Sequence, residues 1–114
     1  MRYDLRTPPE EIHQSSRQRA EADLKEGILG RRTFGLIRSP DLLKQAYEEK
    51  GVRCVIIAGD CVDSQIVADA EGYNSVMDPA ILRKYPAFFQ EVRQRHLELR
   101  AEANKKWKEE QDRG

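Results

Sequence analysis

Residues 52–58 read Val-Arg-Cys-Val-Ile-Ile-Ala, a β-branched run without polar alternation. That pattern belongs to a strand covered on both faces, the kind found in parallel sheets. It follows a helix signal of unusual clarity. Ser39-Pro40-Asp41 supplies a cap residue, a proline for the first position and an acid for the first turn, and Gly51 stops the helix after Lys50. Leu42, Leu43, Ala46 and Tyr47 fall on one face of it. Upstream, residues 28–38 read as loop and then strand, centred on Thr33-Phe34-Gly35-Leu36-Ile37. Strand, helix and strand in this order form a βαβ unit, whose strands pair in parallel. The fold class is therefore α/β.

The rest of the chain reads as helices around that unit. Thr7-Pro8-Pro9-Glu10 opens a first helix over 8–26, with Thr7 as cap and Gly27 as terminator. Its apolar positions are sparse: Ile12, Ala20, Ala22 and Leu24. It reads as a solvated arm with one docked stripe. After Gly59-Asp60, a short helix is expected from Asp63 to Ala70, stopped by Gly72. Residues 73–77 are either a third short strand or a loop. Asp78-Pro79 looks like another helix start, and Pro86 restarts the last helix, which runs to about Glu110. The expected architecture is a small, mainly parallel sheet of two or three strands flanked by helices. It forms a single domain over 1–114, with a helical arm at 1–27 and a long charged amphipathic helix at 86–114.

Composition narrows the function classes. Among 114 residues, 20 are Lys or Arg and 20 are Asp or Glu, so the net charge is zero. That balance argues against broad nucleic-acid binding, which needs a basic surface. Apolar residues make up 39% and charged residues 35%, which means a small core and much solvated helix. No apolar run reaches the ~18 residues of a membrane helix, and no secretory leader opens the chain. Cys54 and Cys61 are too few for a disulfide framework and suit reduced thiols in a cytoplasm. Cys54, in mid-strand, reads as core.

Two sets of residues carry functional expectations. The first is the last helix. Phe89, Val92, His96, Leu99 and Ala103 step by 3, 4, 3 and 4 residues, and Trp107 continues the line. A narrow stripe on a charged helix packs along one line, either onto its own sheet or onto another helix. On an interface, His96 would make association depend on pH. The leading expectation is a small non-enzymatic protein-binding or assembly module, using its terminal helices to form a homo-oligomer or to dock another protein. No cofactor is expected.

The second set is Asp60, Cys61 and Asp63, at the end of the best strand, where open α/β sheets bind ligands. These residues define the alternative, a small enzyme or a ligand- or metal-binding protein. The bland reading is that Asp60 or Asp63 caps the next helix. The stretch VIIAGDCVDS resembles the Gly-Asp-x-x-Asp strand end of calcineurin-like metallophosphoesterases. Those enzymes add histidine-bearing motifs, and this chain has only His13 and His96, so a two-metal site cannot be completed. The stretch from Leu42 to Cys61 is similar to the helix–strand step of kink-turn RNA-binding ribosomal proteins, with Ser39-Pro40 in place of their Gly-Asn. Arg31-Arg32, with Arg38, could grip a phosphate or carboxylate, although a solvated charge pair is the commoner arrangement. Lys105-Lys106-Trp107-Lys108 combines base and aromatic, but Glu102, Glu109 and Glu110 dilute it.

Overall fold

The computed structural model describes residues 4, 6–59 and 62–113. The order is α1 (Pro9–Lys25), β1 (Gly30–Phe34), α2 (Pro40–Glu48), β2 (Arg53–Ala58), α3 (Ser64–Lys84) and α4 (Phe88–Arg113). The two strands pair in parallel, from Gly30 opposite Arg53 to Thr33 opposite Ile56, with a register shift before Phe34. The expected βαβ unit is thus present, with α2 as the crossover. The first strand sits earlier than its apolar centre suggested. Gly35 takes a φ of 95° just after it and breaks the extended run.

Residues 73–77 are neither strand nor loop. They lie inside α3, so the sheet among the described residues has two strands. Tyr73, Met77 and Ile81 step by four and are all buried, which is helical spacing. Gly72 does not stop a helix either. It lies where α3 crosses α1, and a Cβ there would fall on the backbone carbonyl of His13. The glycine answers to close helix approach, a tertiary requirement. Pro79 is carried in the helix interior on an exposed side, at the loss of one ladder hydrogen bond.

The expected caps divide. Asp63 precedes α3, and its carboxylate accepts from the Ile66 N–H at 3.0 Å. Thr7 and Ser39 do not cap: Pro8 stands at the first position before α1, and Ser39 is left-handed (φ 49°) with no side-chain cap. Gly27 and Gly51, both at positive φ, close α1 and α2 as expected.

The core gathers Phe88, Met77, Ile81, Val52 and Cys54 with Tyr47 between them. The Tyr47 and Phe88 rings meet edge to face at 5.3 Å. Burial of one large aromatic such as Phe88 contributes about 3 kcal/mol. Helix α2 packs on the sheet and carries α4, while α3 packs on the sheet and carries α1. The α3 cover is uneven, because α3 packs over β1 far more than over β2. Arg53 and Val55 therefore stay exposed, and β2 is not buried on both faces.

Candidate functional site

The strand end comes first. Asp60 and Cys61 lie outside the described residues. Asp63, the third member, holds the N-terminus of α3, where its negative charge also suits the helix dipole. Among the described residues, no group of three His, Cys, Asp or Glu side chains is placed to hold a metal.

The helical seam divides in two. Val92 and Leu99 are buried, and Phe89 and His96 are half-buried, on the chain's own core. The His96 Nε2 stands 3.3 Å from the Ser39 carbonyl, across from α2. Salt links fasten the same half of α4: Arg95 Nε bonds Glu49 Oε1 at 2.8 Å, and Lys50 pairs with Glu91. The Arg95 contact holds the Glu49 carboxyl below its ordinary range. Beyond Leu99 this support ends. Every residue from 101 to 113 is exposed, including Ala103 and Trp107, and Trp107 is 61% exposed. The described residues extend 54 × 34 × 20 Å, a long shape for a chain of this size.

Neither Arg31 nor Arg32 is a solvated charge. Adjacent strand residues point to opposite faces. Arg31 Nε donates to Asp78 Oδ1 at 3.0 Å, and the guanidinium carbon lies 4.9 Å from the Phe89 ring centre. Arg32 turns to the other face. Its Nη1 pairs with Asp69 and lies 3.3 Å from the Ser16 hydroxyl, with the guanidinium 4.4 Å from the Tyr73 ring centre. Asp69 is fully buried and accepts from Ser16 Oγ at 2.5 Å. Burial pushes the Asp69 carboxyl up to about 6, and the cationic Arg32 beside it pulls the other way. Asn74 completes this layer: its side-chain oxygen accepts from the Arg32 N–H at 2.9 Å, and its amide donates to the Arg32 carbonyl at 2.8 Å. One side chain thereby pairs both backbone groups of Arg32 on the free edge of β1, as a neighbouring strand would.

Sequence reasoning missed Asp69, Asn74 and Ser16. Once 64–84 is read as one helix, Asp69 falls three residues before Gly72 and four before Tyr73. An acid among small and aromatic core positions was the available signal. No known family, curated protein or solved structure matches this chain.

Proposed function

We propose that this chain is a small non-enzymatic assembly module whose docking element is the outer half of α4, and that its partner is a second copy. The carrying observation is the contrast within one helix: an inner half seated on the core, and thirteen exposed residues with an exposed tryptophan at their middle. A helical segment of this length is marginal in water without tertiary contacts. Tryptophan is enriched at interfaces, where its ring is covered and its N–H stays near water.

Charge favours self-association over a strongly charged partner. Residues 100–113 hold Arg100, Lys105, Lys106, Lys108 and Arg113 against Glu102, Glu109, Glu110 and Asp112, so two copies meet with little net repulsion. In an antiparallel pair centred near Lys105, Glu102 of each copy stands opposite Lys108 of the other. Trp107 then packs across the small Ala103 of the second copy. Arg100, Ala103 and Trp107 share one side of the helix at 3- and 4-residue spacing, as such a pairing needs. The contact runs about 20 Å along the helix, so the pair is dissociable. Helix α1 has no comparable role, because Ile12, Ser16 and Ala20 are already buried within the chain.

The setting proposed is the cytoplasm, in keeping with the free thiol of Cys54. No described helix is long and apolar enough to cross a membrane.

Sedimentation velocity across a concentration series tests the reading. The expected result is a monomer–dimer equilibrium that Trp107→Ala shifts strongly to monomer while the circular dichroism spectrum is kept. A wild-type monomer at every concentration would refute self-association.

A further inference from the structure

The uneven cover of the sheet leaves a cleft of about 360 Å³ between α1 and the exposed face of β2. Four arginines line it: Arg31 has its guanidinium engaged by Asp78, which leaves Arg19 of α1, Arg32 of β1 and Arg53 of β2. Val55 and Ile57 form an apolar wall, and Tyr73 closes the inner end. Asp23 is the one acid in the lining, and its oxygens are occupied. Tyr73 Oη donates to Oδ2 at 2.6 Å, and Arg19 Nε stands 3.4 Å from Oδ1.

The three guanidinium groups keep donors that no bond among the described residues uses. Arg19 uses only Nε toward Asp23, Arg32 uses Nη1 toward Asp69 and Ser16, and Arg53 makes no salt bridge among the described residues. Arg32 is also fixed in place, by the buried Asp69 on one side and the Tyr73 ring on the other. Forked donors already held in position are what oxyanion recognition requires. A second cavity, beside Thr7, Ser15 and Ser16, shares Arg19 and Arg32 with the first, so the same two cations face both openings.

We infer that this cleft binds a small organic anion, with its phosphate or carboxylate held by Arg19, Arg32 and Arg53 and its apolar body against Val55 and Ile57. The site is independent of α4 and does not rest on the assembly reading. The volume suits a ligand with one ring, at the lower end of small-molecule sites.

The test is amide-resolved NMR titration of the full chain with phenyl phosphate, benzoate and inorganic phosphate. Phenyl phosphate, benzoate or both are expected to shift the amides of Gly30, Val55 and Ile57 saturably. Inorganic phosphate, with no apolar body, is expected to bind more weakly. Arg53→Ala is expected to weaken the organic anion about tenfold, the loss of one charge-assisted contact. It should leave the melting temperature in place, because the Arg53 side chain is exposed. Arg113→Ala, on the far helix, is expected to change nothing. Two results would each overturn the inference: no saturable shift with either organic anion, or binding that Arg53→Ala and Arg113→Ala weaken equally, which would mark a general charge effect.

Discussion

The inner and outer halves of α4 share one sequence style, a charged helix with an apolar residue every three or four positions, yet they meet different surroundings. From Phe88 to Leu99 the stripe lies on α2 and the core, and ion pairs to Glu49 and Lys50 fasten its flanks. From Ala101 onward the same style continues, and every residue to Arg113 is exposed among the described residues. A periodic stripe therefore states that a helix packs along a line, and leaves open on what. Here one stripe is divided between intramolecular packing and, in our reading, a second molecule.

The largest expected effect separates the halves by stability. Phe88→Ala is expected to cost about 3–5 kcal/mol, because the ring is fully buried and its cavity has no easy collapse. Trp107→Ala, a larger truncation by volume, is expected to leave the isolated chain within about 0.5 kcal/mol of wild type. Chemical denaturation at low protein concentration measures both. Equal losses would abolish the distinction between a docked and a bare half.

Next comes Gly72→Ala, at the crossing that holds α1 on α3. The added methyl meets backbone, which cannot turn aside, and a loss of about 1–3 kcal/mol is expected. Thermal melts would show it, and a neutral result would mean that the two helices separate freely.

Asp69→Asn probes the docked layer by pH. A carboxyl whose folded pKa is raised from 3.8 to about 6 contributes stability that is fully present below the lower value. That contribution is lost as pH rises through the upper one. The stability of wild type relative to the variant is therefore expected to fall by about 1–3 kcal/mol between pH 4 and 6. Parallel denaturation profiles for the two proteins would show that Asp69 does not titrate in that window.

The smallest expected effect is Asp63→Ala. Loss of a single cap hydrogen bond is expected to cost about 1 kcal/mol and to leave any assembly unchanged. A loss of ligand or metal binding in that variant would instead revive the strand-end site.

The parts of the fold legible in the sequence were those fixed by local chemistry. The β-branched run at 53–58, the Pro40 start of α2 and the glycines after α1 and α2 each act within a few residues. Helix α3 was misread because its punctuation serves other ends. Gly72 admits another helix, and Asp78 pairs with Arg31, so neither marks a boundary. The open face of β2 was also illegible, since apolar residues alone do not say which strand a helical layer will cover. Of the candidate sites, Asp63 showed its capping role in the sequence. The Arg32–Asp69 pair joins residues 37 positions apart and had no local signature.

Trp107 is the only tryptophan in the chain, so its fluorescence reports directly on the outer half of α4. Emission spectra recorded over a wide range of protein concentration give the most direct test of the central claim. The account predicts a water-exposed emission maximum at high dilution that moves to shorter wavelength, saturably, as copies pair across Ala103. A maximum that stays at the exposed position at every concentration would contradict it.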